Sequence, residues 1–289
     1  MTWVNTIVQG ILLGGLYALF ACGLSLMFGV MRIVNLAHGD LGVLAAFLAY
    51  SVMSATSLGA FWAALVVIPI FAIVGYALQR GLFQRSLAIS PLSTLLMTFG
   101  LSVVIQNVLL KIYSADSRAL NIGSLVTAAW RVNSGMSLSY LALLTFGLAI
   151  VVIIALQLFL SRTRTGRIMR ATSDDQEAAT LVGADSRHIY AIATAIAFAT
   201  VALAGLMFAM RSSFDPSLGP SRLIFAFEAV VIGGLGSLWG TLVGGMVLGL
   251  AQTLGAQLDP TLLLLSGHVI FLAVLAFRPQ GLIPQRRIA

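Results

Sequence analysis

The chain has 289 residues, 60% of them hydrophobic and only 9% charged, with a formal net charge of +7 and a mean hydropathy of +1.03. Soluble domains carry roughly 25% charged residues, so composition excludes a soluble globule. It predicts an all-α, polytopic membrane bundle, because apolar runs of ~20 residues recur and a span must satisfy its own backbone. The basic excess reads as loops facing the cytoplasm and anionic lipid, not as a nucleic-acid surface. The lone Cys22 and three histidines exclude an internal disulfide and speak against a metal site. The first apolar run lacks a basic n-region and is read as a retained span.

In chain order the apolar segments run over 6–30, 41–55, 61–78, 91–110 and 138–160, then 189–210, 223–231, 238–254 and 262–277. That makes eight or nine hydrophobic segments, depending on how the glycine-broken ones are counted, within a single membrane domain over 1–289. Pro91 suits a first helical turn. The polar stretch MRIVNLAHGD separates the first two segments, 111–137 is a mixed loop, and RSSFDPSLGPSR follows the sixth segment. The tail RPQGLIPQRRIA ends the chain in water.

The stretch 161–188, SRTRTGRIMRATSDDQEAATLVGADSRH, is the one long, strongly charged segment. It predicts a short helix with both ends written in. Ser173 is a natural N-cap, and Gln176 completes a capping box. Asp174 and Asp175 fall in the first turn, where the helix dipole favours acids, and Gly183 is a left-handed stop. About nine helical residues span only ~13 Å, too few to cross a membrane or stand alone, so this helix must dock on something. If this segment is cytoplasmic and the spans alternate, eleven Lys and Arg fall inside and five outside. That obeys the positive-inside rule and places the N-terminus outside and the C-terminus in the cytoplasm.

Two regions carry small residues four apart: Gly10 and Gly14 in one, Gly240 and Gly244, then Gly245 and Gly249, in the other. Such spacing lets helix backbones approach closely. Each region also has a helix-breaking knot, MRIVNLAHGD in the first and Gly233, Gly234 and Gly236 in the second, expected at membrane depth. Two readings stand: helix packing alone, or irregular backbone lining a transport route. Asp40 and Glu228 are the candidate acids at membrane depth, where charge is costly, with the cytoplasmic surface as the alternative place for Asp40. Asp40 reads as a helix cap, Asn35 and His38 as groups orienting the first break, and His268 as a packed histidine. Tyr17, Phe225 and Phe227 read either as packing or as an apolar lining.

The N-terminal GLYALFACGLSLMFGVMRIVNLAHGDLGVLAAFLAY resembles the opening of the LivH-type permeases, membrane subunits of ABC importers for branched-chain amino acids and related solutes. TGRIMRATSDDQEAATLVGADSRHIYAIATAIAFATVALAG resembles that family's cytoplasmic loop and following helix. EAVVIGGLGSLWGTLVGGMVLGL is similar to its glycine-rich signature. The resemblance implies a second, related permease, two cytoplasmic ATPase subunits and an external or periplasmic solute-binding protein, all at the bacterial inner membrane. It also implies that the loop docks on an ATPase through Ser173, Asp174, Asp175, Glu177, Ala178, Ala179 and Gly183. Glu177, Ala178, Ala179 and Gly183 match the core of the importer docking motif. The isoleucine and Leu-Pro of its wider form are absent, and Ala193 stands at the isoleucine position.

Tyr17, Asn35, His38, Phe225, Glu228, Gly233, Gly234 and Gly236 are the residues expected along the route. The chain is expected to bind no cofactor itself: it has no GxxxxGK[ST], so ATP and magnesium belong to the partner ATPases. No Ser-Lys, paired-Asp or HExxH constellation sits within a span, which sets aside an intramembrane enzyme. The competing readings are a permease for urea or short amides, and a stand-alone transporter coupled to ions through an intramembrane carboxylate.

Overall fold

The computed structural model describes residues 2–56, 58–133 and 136–283. Among these, seven helices are long and apolar enough to cross a membrane. They are α1 (Thr2–Met31), α2 (His38–Thr56), the unit α3 (Ala60–Leu78) with α4 (Gln84–Leu87), α5 (Pro91–Tyr113), α6 (Tyr140–Arg162), α9 (Ser186–Arg211) and α11 (Leu238–Leu258). Besides these stand one shorter apolar helix, α12 (Leu262–Phe277), and the half-length α10 (Gly219–Gly233), which carries Arg222 and Glu228. The charged stretch forms α7 (Arg164–Asp174) and α8 (Gln176–Leu181). The 111–137 loop is more ordered than expected, holding an antiparallel pair, β1 (Ala129–Asn133) and β2 (Met136–Ser139). Arg286 and Arg287, counted above as basic residues of the tail, lie outside the described residues.

Local chemistry sets several of these ends. Ser90 accepts a hydrogen bond from the Ser93 amide at 3.1 Å, and Pro91 occupies the first turn of α5; its missing N–H costs nothing there. Between α3 and α4 the chain makes a π turn over Gln79–Phe83. The wider turn aims the buried Gln79 at α9, where its Oε1 accepts from Thr194 Oγ1 at 2.8 Å. A polar side chain buried there needs that partner.

The four-residue glycine pairs face one another. A Cβ on Gly245 would strike the Gly14 carbonyl and one on Gly249 the Gly10 carbonyl, while Gly244 lies against Ala229 and Gly233 of α10. Removing side chains lets α1 and α11 touch backbone to backbone, so dispersion and not hydrophobicity holds them. The core around them is aromatic and aliphatic, with Phe47, Phe198, Phe214, Leu19 and Leu24 almost fully buried. The outward faces of α3, α5, α6 and α12 are apolar and exposed, as lipid- or partner-facing surfaces are.

Two helix pairs are broken deep in the bundle. After Met31 the chain turns back along α1, so that His38 Nε2 donates to the Phe20 carbonyl at 2.9 Å. Phe20 lies eleven residues before the end of α1, roughly 16 Å at helical rise. α2 therefore begins inside the bundle. After Arg211 the chain likewise returns, pairs Phe214 with Arg118 through both backbone groups at 2.8 Å, and starts α10 at Gly219. Gly219 lies against Asp40. The units α1–α2 and α9–α10 thus run in opposite senses, an inverted pair in the manner of transporter repeats.

The second deep break is 212–218, not the expected glycine knot. Gly233, Gly234 and Gly236 lie at the bundle end beside Gly29, with Gly236 3.4 Å from where a Gly29 Cβ would stand. Gly234 and Gly236 turn the chain there with φ of +113° and +81°, conformations in which glycine carries no Cβ penalty.

Candidate functional site

The charged segment folds as a bracket of two capped helices. Thr163 caps α7 by accepting from the Gly166 amide at 3.0 Å, and Met169 is fully buried beneath it. The bracket differs from the expected one at its middle. Ser173 is not the cap of the short helix: it belongs to the last turn of α7, and its hydroxyl donates to the Gly29 carbonyl of α1 at 2.5 Å. Asp174 closes α7, and Asp175 caps α8 through the Ala178 amide at 3.0 Å. Gln176 has no capping-box role, since its Oε1 accepts from Tyr190 of α9 at 3.0 Å. Asp175 wins because α7 already occupies Ser173 with helical backbone, and an N-cap must be extended.

The far end of α8 is as expected. Gly183 has φ +88°, the Gly183 amide donates to Thr180 and the Ala184 amide to Ala179, each at 3.0 Å. This pair is a full Schellman motif. Ala179 is buried, whereas Glu177 and Ala178 face outward. Leu181 and Val182 stand 88% and 86% exposed at the tip, two apolar groups that a solvated loop would have no reason to present. The sequence carried a signal for them, an apolar pair set immediately before a helix-stopping glycine in an otherwise polar run. Asp185 then caps α9, accepting from the amides of Arg187 and His188.

A second polar group sits among α1, α10, α11 and α12. The Tyr17 hydroxyl donates to Gln252 Oε1 at 2.5 Å. The Tyr17 ring lies 5.3 Å from that of Phe225, which stacks on His268 at 6.3 Å. His268 pairs through Nδ1 with the buried Glu228. His268 is thus not merely packed: its side chain is 42% exposed on an otherwise apolar helix. Exposing such a pair to hydrocarbon is costly, so this face meets protein or water. Tyr17, Phe225 and Glu228 are brought together, and Phe227 points outward. Asn35 and His38 lie apart from them at the first break. Asn35 Oδ1 accepts from the Ala37 amide at 3.0 Å, and both side chains are fully buried; they set the start of α2.

Toward the opposite end from the bracket, Arg222 stacks on Phe208 with its guanidinium carbon 4.2 Å from the ring centre and 5.5 Å from that of Phe225. Arg211 lies one turn beyond Phe208 on α9. Both belong to the stretch RSSFDPSLGPSR, which alternation of the spans puts outside.

A family model described as the branched-chain amino acid transport system / permease component matches residues 6–276. The chain belongs to this family. As a permease component with seven spanning-length helices, it is a multi-pass membrane transport protein. It is 29% identical to the high-affinity branched-chain amino acid transport system permease protein BraD of Pseudomonas aeruginosa, over 97% of this chain and 95% of BraD. It is 25% identical to the corresponding protein LivH of Escherichia coli K12, over 97% of this chain and 95% of LivH. Against the LivM permease protein of the same strain it is 30% identical over 149 residues, 48% of this chain and 34% of LivM.

Proposed function

We propose that this permease is one membrane subunit of an ABC importer that carries branched-chain or similar small neutral amino acids into the bacterial cytoplasm by alternating access. Its partners are a second, related permease, two ATPases that hold ATP and magnesium, and an external binding protein. The chain itself hydrolyses nothing. Likeness to both LivH and LivM supports a heteromeric pair of permeases. With the α7–α8 side in the cytoplasm, basic residues among the described positions divide nine inside to five outside, which supports that orientation, an external N-terminus and the inner membrane.

The observation that carries the reading is the α7–α8 bracket. Its exposed Leu181 and Val182 offer an ATPase an apolar foothold, and the Ser173–Gly29 hydrogen bond ties the bracket to the end of α1 where the chain turns back. A push on α8 is thus passed through α7 and this hydrogen bond to the end of α1, next to the first deep break.

The test is reconstitution of all subunits in liposomes, with ATP inside and binding protein and radiolabelled leucine outside. ATP-dependent uptake that vanishes when the ATPases are omitted is expected. Uptake by this chain alone, driven by a proton or sodium gradient, would sink the proposal and favour the ion-coupled reading.

A further inference from the structure

Arg211 and Arg222 are both half-buried, Arg222 stacked on Phe208 and Arg211 one turn beyond Phe208 on α9. Among the described residues neither has a hydrogen-bonded or ion-pair partner. Arg222 Nε and Arg211 Nη1 are buried and unsatisfied. Asp215 lies within electrostatic range of Arg222 but forms no ion pair with it, and the nearby acids each spend one oxygen on another partner. Asp215 accepts from the amide and hydroxyl of Ser217, Asp40 from Ser102 at 2.6 Å, and Glu228 from His268.

Guanidinium groups held partly out of water without a hydrogen-bonded or ion-paired partner are costly unless an anion arrives. The stacking of Arg222 between Phe208 and Phe225 fixes the plane of its fork and leaves the edge free. Arg222 stands in the first turn of α10, which begins with no side-chain cap, so the helix dipole adds to the positive field. Tyr17, of the polar group described above, lies within electrostatic range of both arginines.

We propose that Arg222, assisted by Arg211, receives the α-carboxylate of the transported amino acid as a bidentate partner on the entry side of the route. This rests on the functional reading above and adds to it a residue that distinguishes a carboxylate-bearing solute from a neutral amide. Glu228 is not the matching ammonium site for the same bound molecule. It is already paired with His268.

The test uses the complete permease–ATPase complex in nanodiscs, without binding protein, and radiolabelled leucine as probe. Leucine is expected to bind, to be displaced by 4-methylpentanoate, which keeps the carboxylate, and not by 3-methylbutylamine, which keeps only the amine. Arg222→Gln should weaken leucine binding about tenfold to a hundredfold, the scale of a lost charge-assisted hydrogen-bonded pair, and Arg222→Lys by less. Wild-type-like binding by Arg222→Gln overturns the assignment. So does loss of the sister permease from the purified Arg222→Gln complex, which would make an acid on that subunit the true partner. Displacement by the amine but not the acid overturns it as well. A wild-type complex that transports normally while Arg222→Gln is unaffected sinks this inference alone. A wild-type complex that neither assembles nor binds label sinks the functional reading with it.

Discussion

The Asp40 carboxylate lies directly against Gly219, so the first turns of α2 and α10 meet head to head inside the bundle. Two helix N-termini facing each other present two positive dipole ends. Asp40, with one oxygen accepting from Ser102 and the other toward Gly219, sets an acceptor between them. Neither glycine of this contact tolerates a side chain: a Cβ on Gly39 would land on the Gly219 carbonyl, and one on Gly219 on the Asp40 carboxylate. Gly219→Ala is therefore expected to force the half-helices apart. Thermal unfolding in detergent should show a fall in Tm for Gly219→Ala that exceeds the effect of Gly100→Ala, a position with open space around it.

Ser173→Ala removes the hydroxyl that joins α7 to the Gly29 carbonyl. A single hydrogen bond is worth about 1 kcal/mol, so the protein should fold and assemble normally. Substrate-stimulated ATP hydrolysis should fall roughly fivefold relative to basal hydrolysis, the factor that energy corresponds to. Unchanged stimulation in the reconstituted complex would show that force enters by another path.

Replacing both Leu181 and Val182 by Asp should leave the permease folded, because both side chains are almost wholly exposed. Recovery of the ATPases with the tagged permease should drop sharply. Gly183→Ala acts differently. Space around it is open, so the cost is only the left-handed backbone, about 1–2 kcal/mol, and it should fray the end of α8 and loosen that recovery by less.

Truncating one member of the Glu228–His268 pair strands the other. His268→Leu should destabilise the permease by less than the ~3–5 kcal/mol typical of a broken, fully buried pair, since the His268 side chain is 42% exposed. Adding Glu228→Leu to it should recover much of the loss. A double-mutant cycle on Tm measures the coupling, and strictly additive effects would mean the two groups do not interact.

In the short turn before α12, the Thr261 hydroxyl and amide donate to Asp259 at 2.7 and 2.8 Å and hold its carboxyl below the usual carboxylate range. A depressed folded-state pKa stabilises above the unfolded value of about 3.9, and the gain is lost as pH falls through the folded value. Hydrogen exchange of the Thr261 amide should accelerate, after correction for intrinsic rate, only below about pH 4. Thr261→Ala should raise the pH at which this begins.

The span pattern was legible because apolar runs end on punctuation. The last span was readable to the residue, Leu262–Phe277, between Pro260 and Arg278. The glycine pairs also announced their contact, since only backbone-to-backbone packing asks for that spacing twice. Local chemistry misled at Ser173: Ser–x–x–Gln matches a capping box, but whether Ser173 or Asp175 is extended depends on how far α7 runs, which Met169 decides from the core. The deep return at 212–218 left no local trace. A polar loop with Pro and Gly looks the same whether it lies on the surface or folds inward, and only the pairing of Phe214 with Arg118, nearly a hundred positions away in sequence, sends it inward. The two unpaired arginines were hidden for the same reason.

After α12 the chain does not simply leave the bundle. The Leu282 and Ile283 amides donate to the carbonyls of Ile232 and Gly233 at 2.8 and 2.9 Å, and Gly281 presses on Gly234. The post-span segment is thus a latch on the closing turn of α10, and a fusion or clipping engineered just past Phe277 would unfasten the half-helix that bears Arg222 and Glu228.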